Sequence, residues 1–388
     1  MTLALLKSYF LEEILPTWAK SGFDDSCGQF VEHLELDGSP QRSGGVRTRT
    51  VARQIYVHAH AAHLGVAPSG SLAMAERAFA NLHRVAWVGG KRSGYARAFD
   101  RRTKTVTDPV RDLYDNACVL LALSWLLTAT GKDLYRHQID QMVIAIDRTL
   151  KDAFGGWAED SDGTLPRRQN PHMHYLEATL ALCENNRTST HMRAESKAFA
   201  LLRSHFLVGP KGPLHEFFGP RWELAEQYGS DRLEPGHMCE WVWLTKRHDT
   251  LAHTDHTAIC LDLLSTALTI GRTNDSLFLV DAVSASRPVS PSRRLWPQVE
   301  MLKAFLALHE RLGLGIYLAQ AADVASAMLA TYMADAPDGC WHDCLDLANK
   351  PTAGTIPASS LYHLWTMVAD LVESDRQMAP IRSEAKAC

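Results

Sequence analysis

Apolar positions along most of this chain recur with a helical period. In PVRDLYDNACVLLALSWLLTATG, Leu113, Ala117, Leu120, Leu121 and Trp125 share one i, i+4, i+7, i+8 face, and Gly131 closes the run. The following KDLYRHQIDQMVIAIDRTLKD places Leu134, Ile139, Met142, Val143 and Ile146 on a second stripe. The same two-helix pattern predicts pairs at 47–65 and 70–87, 171–186 and 190–206, 235–248 and 253–271, and 293–313 and 315–334. One helix opens the chain at 2–20 and another closes it at 357–375. The pattern therefore predicts about twelve helices in about six hairpins.

A short marker separates the hairpins. It is a Gly, an aromatic or large apolar residue close behind, and often an Asp that turns the chain. Copies begin at Gly28, Gly94, Gly156, Gly212 and Gly339, with a degenerate one at Ser276. Their spacing is roughly 60 residues, and each reads as a short strand or hairpin. Equal helical hairpins form either an open solenoid, which needs polar end caps, or a closed ring. The first and last helices here are apolar enough to pack on each other. The predicted fold is therefore all-α, an (α/α)6 barrel with short β-hairpins at one end. No Pro/Gly/Ser linker divides the chain, so 1–388 is read as a single catalytic domain.

Composition narrows the function classes. The chain has 388 residues, 46% hydrophobic and 22% charged, which excludes a disordered tail or a disulfide mini-protein. Lys+Arg 40 against Asp+Glu 44 leaves a net charge of −4, which argues against a nucleic-acid or membrane-surface partner. Lys7, Glu12 and Glu13 interrupt the N-terminal apolar stretch, so no signal peptide is expected, and no apolar window approaches the ~20 residues of a membrane span. The scattered cysteines read as reduced core thiols of a cytoplasmic protein.

Polar and aromatic residues stand at the start of the helix behind each marker, about 18–25 residues on. They are Arg53, Tyr114, the group Asn170, His172 and His174, then His237 with Glu240, Trp296 with Glu300, and His363. In a ring of repeats, equivalent positions lie at equivalent heights, so these residues should converge on one end of a central cavity. Aromatic faces stack on sugar C–H faces, and Arg, Glu and Asn bind hydroxyls. The pocket is read as one for a polar, uncharged small molecule, a carbohydrate above all. His237 and His363 are the catalytic candidates, because moving a proton beside a carbonyl needs a base and an acid poised near neutral pH. Pro235 and Gly236 put His237 at a helix start, where exposed N–H groups should favour its neutral form; Glu240, one turn on, could orient its ring or bind a hydroxyl. Arg53 could stabilise charge on an enediolate oxygen.

Other clusters carry blander expectations. His172 and His174 should not share a helix face, which argues against a metal pair. Cys340, His342 and Cys344 alternate like one strand face without an evident fourth zinc ligand. His248, His253 and His256 should be solvated on a turn and the next helix. The basic stretch from Lys91 to Lys104 should be a solvated hairpin rather than a phosphate grip. The sequence has no P-loop, G-x-S-x-G or complete G-x-G-x-x-G.

VARQIY around Arg53, DLYDNA around Tyr114, NPHMHYLEA around His174, PGHMCEW around His237, RLWPQVE around Trp296 and LYH ending in His363 resemble the N-acylglucosamine 2-epimerase family, and most of all its mannose isomerase branch. The resemblance runs from about residue 45 to 365. It implies an (α/α)6 barrel and proton transfer through a cis-enediol(ate), with no cofactor and no metal. By analogy His237 and His363 are the acid/base pair, Arg53, Tyr114, Asn170, His174 and Glu240 bind or polarise the sugar, Trp296 walls the pocket, and Glu300 is a further substrate-binding candidate. The implied partner is a monosaccharide, with a homodimer left open. TIPASSLYH lacks the Trp and Lys that tend to precede the last His of cellobiose epimerases, which disfavours a disaccharide.

The expected activity is that of an aldose–ketose isomerase interconverting free D-mannose and D-fructose. The alternatives are a sugar 2-epimerase of mannose/glucose, cellobiose or N-acylglucosamine type, or an isomerase of a phosphorylated or sulfonated sugar. Glycoside hydrolysis is a rival chemistry and would need two facing carboxylates, for which Glu240 and Glu300 are the obvious pair. A sugar-binding protein without turnover is the non-enzymatic rival.

Overall fold

The computed structural model describes residues 1–209, 212–273, 276–284, 287–289 and 292–378. The predicted hairpins are all present: α3 (Thr48–His63) with α4 (Ser71–Ala86), α5 (Leu113–Thr130) with α6 (Asp133–Thr149), α7 (Gln169–Asn185) with α8 (Ser189–Leu201), α9 (Pro235–Ala252) with α10 (Thr257–Gly271), and α11 (Leu295–Leu312) with α12 (Gly315–Thr331). The opening helix is α1 (Thr2–Tyr9) and α2 (Leu15–Ser21), joined through a π-helical turn at Phe10–Ile14; α13 (Ala358–Met378) closes the chain.

Packing is cyclic. α3 lies on α5, α5 on α7, α7 on α9, α9 on α11, α11 on α13, and α13 returns to α3. The second helix of each pair packs outside the first, α1 packs on α12, and the π turn packs on α13. Trp18 stacks on Trp341 and Phe10 lies against Trp365, so the two ends of the chain meet through aromatic contacts. Burial separates the two rings. α5 is buried on nearly every side, whereas α4 buries only a stripe of Ser71, Ala75, Ala78, Phe79, Leu82 and Ala86. An inner helix has neighbours on both faces and an outer one has water on one, which is why their hydrophobic patterns differ. On α6 the stripe departs from expectation: Leu134 is exposed and Tyr135 is buried in its place, with Tyr135 edge-on to Phe79. α5 is the one described helix long and apolar enough to cross a membrane, and it is an inner helix of the ring. The seven cysteines among the described residues are free thiols.

All the named strands lie in the connections that lead from an outer helix into the next inner one. They tie each connection to its neighbour around the ring. Strand 45–47 pairs with 98–100, 167–168 with 217–218, 232–233 with 283–284, 292–294 with 344–346, and 356–357 with 33–34. An isolated bridge between Asp112 and Asp160 links the remaining pair. The N-terminal ends of the inner helices are thus held together by a belt of short antiparallel contacts.

A carboxylate from the preceding marker often anchors the helix entry. Arg47, Arg168 and Arg294 occupy the N-cap positions of α3, α7 and α11, and none caps with its own side chain. Instead their backbone N–H groups donate to Glu32, Glu159 and Asp281 at 2.8, 3.0 and 2.7 Å. A hydrogen bond to a charged acceptor is worth about 1.5–3 kcal/mol, so these remote carboxylates do for the N-cap N–H what the N3 Glu or Gln of a capping box would otherwise do. The basic stretch at 91–104 is built into this belt rather than solvated throughout. Arg97 pairs with Asp108, Asp112 and Asp160, and buried Arg101 donates to the Gln41 carbonyl at 3.1 Å.

Candidate active site

The first turns of the inner helices enclose a cavity of about 200 Å³. Arg53, Tyr114, Asn170, His174, His237, Glu240, Trp296 and His363 all line it. Glu300 does not reach the cavity; it lies beneath His363, fully buried. The convergence expected from repeat position therefore holds for every candidate except Glu300 and His172.

His237 stands at the N-terminal end of α9, where Pro235 fits the first turn. Gly236 is dictated by packing, because a Cβ there would lie 2.7 Å from the Trp296 ring. The ring of Trp296 sits between the two candidate histidines, 4.9 Å from His237 and 5.5 Å from His363 between centroids. His237 Nδ1 faces Glu216 at 3.0 Å and Glu234 at 3.5 Å. Its Nε2 lies 3.1 Å from the Asn170 amide nitrogen, and the amide oxygen has no partner. An imidazolium is bonded at both nitrogens when that amide presents its oxygen. Burial opposes the charge on His237, but the Glu216 carboxylate outweighs it and lifts the pKa to about 9. This corrects two expectations. The helix start does not keep His237 neutral, because two carboxylates face it. Glu240 does not orient its ring; Glu216 does.

His363 stands in the opposite environment. Its Nδ1–H donates to Glu300 at 2.7 Å, which leaves Nε2 unprotonated. Glu300 in turn is held by the ammonium of Lys303 at 2.8 Å, and neither Glu300 nor Lys303 is exposed. Burial, followed by the positive charges of Arg53 and Lys303, pushes the His363 pKa well below its usual value. His174 is likewise held neutral, by burial first, at a pKa of about 3. It donates through Nδ1 to Glu177 at 3.1 Å, faces Arg53 at 3.3 Å through Nε2, and stacks on Tyr114 at 4.5 Å. Arg53 donates to the Tyr114 hydroxyl at 2.8 Å and lies over the Tyr362 ring. Tyr362 donates to Glu177 from below. Glu240 has both oxygens without a hydrogen-bond partner, and burial followed by the charge of Glu300 pushes its carboxyl well above the usual range. A neutral Glu240 offers the cavity both a donor and an acceptor.

Glu216, Glu177, Lys303 and Tyr362 were not singled out from the sequence. A signal for Glu216 existed. It stands four residues behind its marker Gly212, as Glu32 stands behind Gly28 and Asp343 behind Gly339. Glu32 and Asp343 also grip the following inner helix, at Thr50 and Ser360. The other clusters resolve differently from their expectations. His172 points away from the cavity, between the Arg168 and Trp157 carbonyls. His342 spends Nε2 on the Ala334 carbonyl, and Cys344 reaches the Leu345 carbonyl. His248 is not solvated: it is buried on α9, paired with Glu195 at 2.5 Å and stacked on Phe199. His256 is paired with Asp249 at 2.6 Å, and His253 ends α9 in the left-handed region at φ 56°.

Two groups at the site, Glu240 with Glu300 and His363, and His174 with Glu177 and Glu240, have potential ligand atoms within 4.8 Å of one another. In both, the imidazole Nδ1 is committed to a carboxylate, and Lys303 and Arg53 supply the neighbouring positive charge. The same pinning disposes of Glu300 as one of two facing carboxylates, since a glycosidase pair must both reach the substrate.

Two histidines thus stand either side of one aromatic wall, His237 among carboxylates and His363 beside a carboxylate held by a lysine, and both line the cavity with Arg53. The protein is an enzyme of the sugar isomerase and epimerase class. Residues 28–367 match the N-acylglucosamine 2-epimerase (GlcNAc 2-epimerase) family, and the chain belongs to it. It is 29% identical to a mannose-6-phosphate isomerase of Rhizobium meliloti (strain 1021), over 96% of this chain and 97% of that protein. It is also 29% identical to a D-mannose isomerase of Thermobifida fusca, over 83% and 82% of the respective chains. Its fold is similar to that of cellobiose 2-epimerase from Bacillus thermoamylovorans B4167, with a TM-score of 0.84, 19% identity, and coverage of 96% and 99%.

Proposed function

We propose that this chain is an aldose–ketose isomerase that interconverts free D-mannose and D-fructose. It works as one cytoplasmic catalytic domain, an (α/α)6 barrel with the site at the N-terminal ends of its inner helices. The observation that carries the reading is the contrast in surroundings of the two histidines around Trp296, His237 facing Glu216 and Glu234 and His363 facing a Glu300 held by Lys303. Paired groups whose surroundings drive their pKa values apart divide into acid and base. His363 Nε2 takes the proton from carbon-2 of the open-chain aldose. His237 gives its proton to the carbonyl oxygen, and the cis-enediol forms. His363 then returns its proton to carbon-1, while His237 recovers one from the carbon-2 hydroxyl as that oxygen becomes the ketone. Arg53 faces the developing oxygen charge, and Trp296 provides the flat wall.

A second reading is favoured by the similarity to a mannose-6-phosphate isomerase and by Arg47, Arg49 and Arg294 at the cavity mouth. These arginines are already paired with Glu32, Asp115 and Asp281, which supports the uncharged sugar as first choice. The test is proton NMR of the protein with D-mannose in deuterated water. Fructose should appear, with deuterium entering the exchanged position. Glucose as the main early product would move the chain to the 2-epimerases. Turnover of mannose 6-phosphate with kcat/KM well above that of mannose would establish the second reading.

A further inference from the structure

The ring encloses a second cavity beyond the buried Glu300–Lys303 pair. It measures about 280 Å³, against about 200 Å³ for the catalytic pocket. Its walls come from later turns of the same inner helices: His60 of α3, Trp125 of α5, Trp243 and Arg247 of α9, and Asp370 and Glu373 of α13. Asp370 lies about two turns beyond His363, roughly 10 Å along the helix, so the two cavities are separate.

The far cavity uses the same chemical vocabulary as the catalytic one, but its two cations are already spent, Arg247 on Glu184 and Lys246 on Glu310. Arg247 donates to both oxygens of Glu184, at 3.1 and 2.6 Å. Asp370 accepts from the Trp243 indole at 2.7 Å. His60, 4% exposed, stacks on Trp125 at 3.4 Å, and its Nε2 faces Glu373 at 3.4 Å without completing a hydrogen bond. A buried polar atom left without a partner costs about 1–3 kcal/mol, so a hydroxyl delivered to it is favourable. An anionic ligand would find no free cation and would meet the Asp370 and Glu373 carboxylates, whereas an uncharged one with many hydroxyls finds acceptors for its O–H groups and two indole walls.

We propose that this far cavity is a second, non-catalytic binding site for an uncharged polyhydroxylated molecule of monosaccharide size. The inference does not depend on which reaction the first site performs. D-Mannitol is the probe, because it has no carbonyl and cannot be turned over. Saturation-transfer NMR is run on the protein, on Trp296→Ala to disable the catalytic pocket, and on Thr250→Trp. Thr250 is exposed and lines the far cavity, so the new indole fills that space without disturbing the core. The mannitol signal should persist in Trp296→Ala and fall at least fivefold when Thr250→Trp is added. Thr250→Trp alone should leave sugar turnover within twofold of the parent. Absence of signal in the parent, its complete loss in Trp296→Ala, or its indifference to Thr250→Trp would each overturn the second site. Turnover of mannose is read separately, so failure of the isomerase assignment leaves this result intact.

Discussion

His237 and His363 belong to equivalent positions of two repeats, yet the protein treats them in opposite ways. The His237 side of the pocket is acidic: Glu216 and Glu234 face the imidazole, and its pKa rises to about 9. The His363 side also offers a carboxylate, Glu300, at an even shorter 2.7 Å. There the result is reversed: burial prevails, Arg53 adds a positive charge from across the cavity, and Lys303 both adds another and neutralises that carboxylate. One carboxylate contact therefore does not decide the charge of a buried histidine. The net charge within a few ångströms decides it, together with burial, which opposes the imidazolium on both sides. With burial common to both, the acid and the base of the proposed reaction differ by the cations near the base, Arg53 and then Lys303, more than by their own immediate partners.

The sharpest break of this comparison is to remove each imidazole. A positioned general base contributes about 10²–10⁴ in rate. His363→Ala should lower kcat about 10³-fold and abolish deuterium incorporation from solvent, with unchanged circular dichroism. His237→Ala should lower kcat less, about 10²-fold, because water in the cavity can still protonate the oxygen. Near-parental kcat in either variant would remove that residue from the mechanism. Equal losses with surviving exchange in His363→Ala would reverse the assignment of base and acid.

Lys303 tests the reason for the asymmetry without touching the substrate pocket. Burial already pushes the Glu300 carboxyl up, and the ammonium pulls it back. In Lys303→Met the carboxyl keeps its proton near neutral pH and becomes a donor toward His363 Nδ1. The remaining imidazole proton then moves to Nε2, the nitrogen that must act as base. kcat should fall about 10–100-fold, and activity should reappear as pH rises and Glu300 ionises. A structural role alone would lower thermal stability without this alkaline recovery. Retained kcat with an unchanged pH profile would show that Lys303 does not set the tautomer of His363.

The sequence exposed the elements and one layer of the site, and the reason is periodicity. Inner and outer helices were legible because apolar spacing survives in both, and the marker repeat located the helix starts that carry Arg53, Tyr114, His174, His237, Trp296 and His363. Leu134 and Tyr135 show the limit: adjacent apolar residues fit a stripe almost equally well, and only the neighbouring Phe79 ring decides which turns inward. Charge was the harder quantity. Pro235 and Gly236 suggested a neutral His237, and within α9 only Glu240 adds a smaller opposing influence. Glu216 comes from a loop 21 residues upstream and acts only through the fold. Lys303 was hidden differently, as a polar residue on a helix whose outward face would normally be solvated; in the inner ring that face is buried. His248 was read as solvated for the same reason, since its buried partners Glu195 and Phe199 come from the neighbouring α8.

The finest test of the comparison is to make the His237 side resemble the other by cancelling one charge. His237 must be protonated to act as acid, and its folded pKa of about 9 lies above the ordinary 6.5. Activity limited by this group is therefore full below about 9 and is lost as pH rises through that value. His363 must be neutral, and its depressed pKa keeps it so until the pH falls well below 6.5. The parent profile should be a broad plateau between these limits. Glu216→Gln removes the strongest charge that lifts the His237 pKa while its amide can still accept from Nδ1–H. Glu234, at 3.5 Å, remains and preserves part of the elevation. The basic limb of kcat/KM should move toward lower pH by about one unit, with the acidic limb unmoved and kcat at pH 6 within about threefold of the parent. A shift of one unit corresponds to about 1.4 kcal/mol between the protonation states, well within what one neighbouring carboxylate supplies. Movement of the acidic limb instead would place the Glu216-dependent group on the base side of the reaction. An unmoved basic limb would show that the imidazolium at His237 does not depend on Glu216, and the contrast between the two histidines would then rest on Lys303 and Arg53 alone.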